Sequence, residues 1–567
     1  MSMNKPWLAE YPEQIPREFS LVEKPLQSYL TDAAEKYGGK TAIHFMGKEL
    51  SYSEVHEAAL KFGSYLQGLG IEKGDRVAIM LPNTPQSVVA YYGILYAGGV
   101  VVQTNPLYTE REIEYQMKDS GAKVMLTLDI LYPRVTKVMK ETELEHIIVT
   151  AIKDCLPFPK NLIYPFIQKK QYGIVVKVEP SETIHLYTDI MKRSAGGLAE
   201  PEGFDFAEDL ALLQYTGGTT GFPKGVMLTH QNLVANASMC DIWLYKCRKG
   251  EERVLGILPF FHVYGMTAVM VLSIMQGYTL ILLPKFDATT TLKTIQKQKP
   301  TLFPGAPTIY IGLLNHPDLK KYDLSSIDSC ISGSASLPVE VQQQFEAITG
   351  GKLVEGYGLT ESSPVTHSNF LWDKERVKGS IGVPWPNTDS VILSMETGEP
   401  LPPNEIGEIA VKGPQVMKGY WNRPEETEQT LKDGWLLTGD VGYMDERGYF
   451  FVVDRKKDMI IAGGFNIYPR EIEEVLYEHP AIQEVVAAGV PDAYRGETVK
   501  AYVVLKEGAS LTEEELNVYA RKYLAAYKVP RIYEFRKELP KTAVGKILRR
   551  ALVEEERVKL EEEEKLS

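Results

Sequence analysis

Residues 215–230 read YTGGTTGFPKGVMLTH, and this stretch constrains the chain more than any other. Gly217, Gly218, Gly221 and Gly225 surround Thr216, Thr219, Thr220 and Lys224, so exposed backbone N–H groups, hydroxyls and a cation gather at close range. Such a loop suits an anion, above all a polyphosphate. A Walker A loop would need Gly-Lys-Ser/Thr opening a helix, whereas Pro223 precedes Lys224 here and Gly225 follows it, which excludes that motif. The flanking ALLQYT and GVMLT are both strand-like, so the loop is expected to join two extended segments and to cover phosphate from the tip of a hairpin. A merely flexible Gly/Pro turn is the alternative, and it fits a shorter stretch better than this one.

A chain of 567 residues is too long for one core and implies several subdomains. With 44% hydrophobic and 24% charged residues it has the profile of a soluble globular protein, and disorder or a fibre is excluded. A formal net charge of −13 argues against a general nucleic-acid binder, which would need clustered Lys and Arg. Four cysteines, Cys155, Cys240, Cys247 and Cys330, lack CxxC spacing and read as reduced thiols of a cytoplasmic protein. MSMNKPWLAEYPEQIP contains no apolar h-region, so no signal peptide is expected. The most apolar run, Val263 to Leu283, is interrupted by Gln276 and Gly277 and is expected to be a buried helix followed by a buried strand rather than a membrane span.

From Ser51 the pattern is regular. A Ser51/Glu54 capping box opens a helix with Val55, Ala59, Phe62 and Leu66 on one face, and strand-like and helical segments then alternate to AKVMLTL. Such alternation implies an α/β fold with parallel sheets flanked by helices. Residues 156–180 break the rhythm, with aromatics beside Lys160, Lys169 and Lys170. They are expected to form a surface excursion whose aromatics pack on the body, the alternative being an interfacial segment touching anionic lipid. Beyond residue 458, PREIEEVLYEHP, EVVAAGV, TVKAYVVL and TEEELNVYARKYLAAY read as a separate small α+β unit.

Further constellations carry chemistry. His262 lies in LPFFHVYGM, where a core histidine with one hydrogen bond is the default. In SGSASL the small Gly333, Ser334 and Ala335 let a flat ring approach backbone, and in EGYGLTESSP Tyr357 can stack on a purine. Thr360 and Glu361 set a hydroxyl beside a carboxylate, which suits phosphate positioning or a hard cation such as Mg²⁺. Asp440, after a Thr-Gly turn, could accept from both hydroxyls of a ribose. Arg455 ends a strand of alternating Phe and Val, and Lys546 sits in a Gly-containing loop just before a helix, on a stem long enough to reach a distant cleft.

Taken together, these motifs resemble those of the adenylate-forming enzymes: acyl-CoA synthetases, luciferases and peptide-synthetase adenylation domains. YTGGTTG, VKGPQVMKGYWNRPEET, FNIYPREIEEVL, WLAEYP and VVVQTNPLYTEREIEYQ look most like bacterial long-chain fatty acyl-CoA synthetases. The resemblance implies a large N-terminal domain over 1–454, a hinge at 455–458 containing Lys457, and a small mobile C-terminal domain over 459–567. It implies that Gly217 to Lys224 cover the phosphates of ATP and that Thr216 and Glu361 hold Mg²⁺. Gly333, Ser334, Ala335, Glu355, Gly356, Tyr357, Gly358, Thr360 and Val452 would surround the nucleotide, with Asp440 on the ribose and Arg455 near the ribose and α-phosphate. Lys546 would bridge carboxylate and α-phosphate. His262, Val263, Tyr264, Gly265, Gly305 and Ala306 would line the acyl pocket, with Gly305 and Ala306 small enough to leave space, and Gly463 and Gly464 would border the coenzyme A path. The implied reaction activates a long-chain fatty acid with ATP and passes it to coenzyme A. A medium-chain or aryl acid–CoA ligase, another adenylate-forming ligase of the same fold, or a non-catalytic nucleotide-binding protein are the competing readings. Peripheral contact with the inner face of a membrane and a homodimer stay open.

Overall fold

The computed structural model describes residues 4–193, 197–199, 201–216, 223–462, 465–492, 495–542 and 546–566. The alternation that starts at Ser51 is built as the sequence implies. Helix Tyr52–Gly68 opens with Ser51 accepting from the Glu54 backbone N–H while the Glu54 carboxylate accepts from the Ser51 N–H, so two otherwise unpaired donors are satisfied reciprocally. The helix buries Val55, Ala59, Phe62 and Leu66. Strands Arg76–Met80, Val100–Gln103 and Val124–Leu128 follow, with helices Pro85–Tyr96 and Glu110–Ser120 between them. Val77 pairs in parallel with Val101 on one side and Val124 on the other. Helices cover both faces of such a sheet, which is why these strands are apolar throughout rather than alternating.

Eight strands make up this sheet. His146–Thr150 and Ile184–Leu186 extend it in parallel at one side, and Leu210–Thr216 joins Val100–Gln103 at the other. Lys224–Thr229 then turns back antiparallel, followed by the short Gly419–Tyr420. A second sheet combines Arg253–Gly256, Thr279–Leu282, Thr41–Phe45 and Lys48–Ser51. Leu302 bridges it to a third, made of Ser329–Ser332, Lys352–Gly358, Val365–Ser368 and Val383–Pro384. An antiparallel sheet of Asp389–Leu393, Gly407–Lys412, Trp435–Met444, Leu431–Lys432 and Phe450–Arg455 completes the large body. The next strand, Ile460–Ala462, belongs to a separate sheet with Phe465–Ile467, Gly496–Leu505, Ile482–Asp492 and Ile532–Arg536. That smaller α+β unit has its own buried core around Ile467, Ile472, Leu476 and Leu516.

The apolar run from Val263 forms a π-wound helix, Tyr264–Val271, that continues as Leu272–Gln276; Gly277, at φ +73°, then reverses the chain into strand Thr279–Leu282. A side chain at Gly277 would collide with the Tyr37 ring. No helix among the described residues is long and apolar enough to cross a membrane.

One expectation fails. Residues 156–180 do not lay all their aromatics on the body: Phe158 is 79% and Phe166 76% exposed. Helix Lys160–Tyr172 already fills its inner side with Tyr164, packed on the core, and with Gln168, which donates to Asp129 at 3.0 Å. Helical periodicity therefore turns Leu162, Ile163, Phe166 and Ile167 outward.

The loop that carries the LPFFHVYGM motif is held by Asn83. Its side chain, 2% exposed, donates to the Gly256 carbonyl at 3.1 Å and the Leu258 carbonyl at 2.8 Å, and accepts from Phe260 N at 2.9 Å. Asn83→Ala leaves these buried groups unpaired. It is expected to destabilise the large body by about 3 kcal/mol, read as a lowered urea midpoint.

Candidate active site

Strands Leu210–Thr216 and Lys224–Thr229 pair antiparallel, with Thr216 opposite Lys224, so the loop between them leaves a hairpin tip. Gly217, Gly218, Thr219, Thr220 and Gly221 lie outside the described residues, as do Gly463 and Gly464. The two ends of the loop are gripped from one helix, Glu110–Ser120. Asp119 accepts from the Tyr215 hydroxyl at 2.7 Å and from Arg423 at 2.9 Å, its carbonyl accepts from the Trp421 indole at 3.0 Å, and Tyr115 donates to the Pro223 carbonyl at 3.0 Å.

Behind Lys224 stands Tyr420, whose ring centroid is 4.8 Å from the ammonium. The Tyr420 hydroxyl donates to Glu361 Oε1 at 2.8 Å, and Met417 N donates to the Glu361 carbonyl at 2.8 Å. Strand Gly419–Tyr420 thus ties the hairpin to the turn Thr360–Ser362 that carries Glu361. One Glu361 oxygen is occupied by a neutral donor. Among the described residues no three His, Cys, Asp or Glu side chains cluster as a metal site. A single carboxylate beside a phosphate loop nevertheless fits Mg²⁺, which takes few protein ligands and completes its shell with phosphate and water.

Asp440 is the most enclosed charge of the site, 3% exposed. It faces Arg455 across the antiparallel pair Trp435–Met444 and Phe450–Arg455. The Arg455 Nε lies 3.0 Å from Asp440 Oδ1, and the Tyr357 hydroxyl donates to Oδ2 at 2.6 Å. A carboxylate accepts about four hydrogen bonds, so these two contacts leave room for a vicinal diol. Tyr357 stands edge-on to His367, centroids 5.7 Å apart. Val452 pairs with Gly442 on the same strand as Arg455. Glu355 Oε2 accepts from Leu337 N at 3.1 Å, pinning the end of the Gly333–Ser334–Ala335 turn, and burial pushes its carboxyl pKa up. Gly356 lies against Ile331, and Gly358 lies against the Pro364 carbonyl so closely that neither position admits a Cβ.

From the small unit, Lys546 reaches this cleft. Thr542 bonds Lys546 twice: its hydroxyl accepts from Lys546 N at 3.1 Å, and its N–H donates to the Lys546 carbonyl at 2.8 Å. Burial, with Arg455 adding repulsion and Asp440 opposing it, lowers the Lys546 pKa to about 8. His262 is lowered to about 4 by burial and by Lys546, so it is neutral at pH 7; its Nδ1 lies 3.4 Å from Tyr264 N. Lys457 is also pushed down, by burial and by Arg455.

The wall expected to line the acyl pocket departs from the simplest expectation. The missing Cβ of Gly305 does not leave open space: the Tyr310 ring fills it, at 2.7 Å from where a Cβ would stand. Gly333 likewise admits Tyr264, at 2.8 Å, whose hydroxyl donates to the Ile331 carbonyl at 2.7 Å. Gly265 lets its helix close onto the carbonyls of Leu258 and Pro259. Val263 and Ala306 are buried. These small residues therefore lock this wall to strand Ser329–Ser332, which also bridges Gly305 through Ser332.

Sequence reasoning missed Asp119, Tyr420 and Asn83, whose partners are remote in the chain. It also missed Arg549, which contacts Asp458 and Glu473 at 2.7 Å each.

Comparisons with known proteins identify the family. The AMP-binding enzyme family model matches residues 30–421, and that of the AMP-binding enzyme C-terminal domain matches residues 471–546. The chain is similar to a long-chain-fatty-acid–CoA ligase of Bacillus subtilis, 62% identical over 98% of this chain and 99% of that one. It is also similar to a protein of the same name in Escherichia coli, 40% identical over 99% of this chain and 100% of that one. Among solved structures, ATP-bound MatB from Rhodopseudomonas palustris aligns with a TM-score of 0.82 at 30% identity, covering 94% of this chain and 99% of that one. Both family models and the near-full-length identity to these ligases show that the chain belongs to the AMP-binding, adenylate-forming enzyme family.

Proposed function

We propose that the chain activates a long-chain fatty acid with ATP to an acyl-adenylate and transfers the acyl group to coenzyme A. The observation that carries this reading is the convergence of Lys546, from the small unit, with His262, Arg455 and Asp440, from the large one. In the first step a carboxylate oxygen attacks the α-phosphorus, and the bond to pyrophosphate breaks. Both reactants are anionic, so the main task is to offset charge at the reacting centre.

Lys546 is suited to bridge the incoming carboxylate and the α-phosphate, and Arg455 to supply a second cation beside the ribose held by Asp440. A neutral His262 lines the acid's approach without adding charge. Thr216 and Glu361 would hold Mg²⁺, which neutralises phosphate charge when bound. In the second step the thiol of coenzyme A attacks the acyl carbonyl and loses its proton, and the bond to AMP breaks. Lys546 has then done its work, and reorientation of the small unit about the turn Arg455–Asp458 would open the cleft to the thiol. Support for the acid being long comes from the two ligases of that name at 62% and 40% identity.

AMP release by the purified protein with Mg²⁺, ATP and coenzyme A, across acetate, octanoate, palmitate and benzoate, is expected to show its highest kcat/KM with palmitate; a peak at benzoate or octanoate would move the substrate to another class. Lys546→Ala should slow pyrophosphate release about 100- to 1,000-fold while sparing thioester formation from added acyl-adenylate. The protonated ammonium is the active form, and it is lost as pH rises through about 8. The kcat/KM for adenylation should therefore be level below that pH and fall about tenfold per unit above it. Lys546→Arg, whatever its absolute rate, should lack this descending limb.

A further inference from the structure

Helix Lys160–Tyr172 breaks the ordinary rule for a surface helix: its outward side is its apolar side. Leu162, Ile163, Phe166 and Ile167 are 62%, 50%, 76% and 51% exposed, and they fall within one outward arc, because positions three and four apart share a face. Phe158, 79% exposed, precedes them. Contiguous apolar surface of this kind, presented to water by a folded body, marks a contact site.

The rim of the patch is basic. Lys169 and Lys170 occupy the last turn of the helix, and both are exposed. Lys160 at its start donates to the Met46 carbonyl at 2.7 Å, which brings the half-exposed Met46 turn alongside the helix. A local excess of lysine around exposed phenylalanine and leucine stands out on a chain with a formal net charge of −13. Lysine charge beside an apolar wedge is complementary to anionic headgroups over acyl chains, and less so to the acidic surface of a second copy of this chain, which would offer charge but no hydrocarbon depth.

Topology sets the patch on the working side of the molecule. Strand His146–Thr150 leads from its C-terminal end into the connection that contains the helix, and strand Leu210–Thr216 leads from its C-terminal end into the glycine-rich loop. Both strands run parallel in the same sheet with three strands between them, so the two exits lie on one sheet edge, roughly 19 Å apart at about 4.8 Å per strand.

We infer that helix Lys160–Tyr172 is a docking element that inserts its outward apolar face into the surface of an anionic lipid bilayer. The inference extends the proposed function, resting on it only for its purpose, which is to hold the site beside the phase where a long-chain acid resides. It ascribes membrane contact to one helix lying in the headgroup region, not to a span.

The test uses the full chain with sucrose-loaded vesicles of phosphatidylglycerol and phosphatidylethanolamine, and separately of phosphatidylcholine alone, followed by sedimentation. The wild-type chain is expected to sediment with the anionic vesicles, to do so less with phosphatidylcholine, and to be released by salt. Removing a lysine charge, as in Lys169→Gln or Lys170→Gln, should lower the partition coefficient about fivefold each. Phe166→Asp should abolish sedimentation, while AMP release with octanoate in vesicle-free solution stays at the wild-type rate, which certifies the fold.

The inference is overturned if the wild-type chain stays in the supernatant with anionic vesicles, or if Phe166→Asp sediments as the wild type does. It is also overturned if sedimentation velocity without lipid finds a wild-type dimer that Phe166→Asp converts to monomer, since the face would then bind a second copy. Vesicle binding by a chain that releases no AMP with any acid would strike the proposed function and leave the docking face standing. Normal AMP release by a chain that ignores vesicles would do the reverse.

Discussion

The cleft is arranged around one buried carboxylate, Asp440, which shares its space with Arg455 and Lys546. Asp440 is withdrawn from water, a cost met by a hydroxyl from Tyr357 and a guanidinium from Arg455. That pair is nearly balanced by itself. Lys546 then enters the same low-dielectric space, where burial and the charge of Arg455 lower its pKa to about 8 against the pull of Asp440 and Asp458. Repulsion between Lys546 and Arg455 in this space is of the kind that an anion placed between them relieves. On the proposed reaction, such a site would hold two anionic reactants where their mutual repulsion is offset.

Much of the scaffold was legible because it obeys local rules. The capping box at Ser51, the helix face of Val55, Ala59, Phe62 and Leu66, and the apolar strands that follow all express periodicity within a few residues. The hairpin under the glycine-rich loop was readable from two strand-like flanks. The braces were not readable. Tyr420 supports Glu361 from 59 positions away, Asp119 meets Arg423 across 304, and Asn83 holds Phe260 across 177. Nothing about a lone Asn, Asp or Tyr distinguishes a brace from a surface residue until the fold brings its partners together.

Glycines misled in a different way. Gly305 was read as leaving open space, yet the Tyr310 ring fills it, and at Gly333 the direction a Cβ would take is occupied by Tyr264. An absent side chain signals close approach, but by itself it does not say of what. The segment after residue 156 shows the converse limit. Its composition allowed both a packed excursion and an exposed interfacial element, and the choice depended on which helix face Gln168 and Tyr164 occupied, a fact set by Asp129 and the body rather than by the segment.

The last constraint concerns how Lys546 is aimed. Three residues beyond it, Arg549 reaches Asp458 in the inter-unit turn and Glu473 on helix Pro469–Tyr477, with Asp454 at 3.8 Å. Asp454 closes the circuit by accepting from Arg470 N at 2.7 Å, although burial pushes its own carboxyl pKa up. The lysine loop is therefore fastened both to its own unit and to the end of the large body's last strand. On the proposed two-step reaction, a rotation of the small unit about the turn would have to carry Asp458 along or exchange the Arg549 contacts, so the ion cluster that orients Lys546 would also set the resistance to removing it. Shallow burial of Asp458 compared with Asp454 makes the first of these contacts the softer one, the natural place for that exchange to begin.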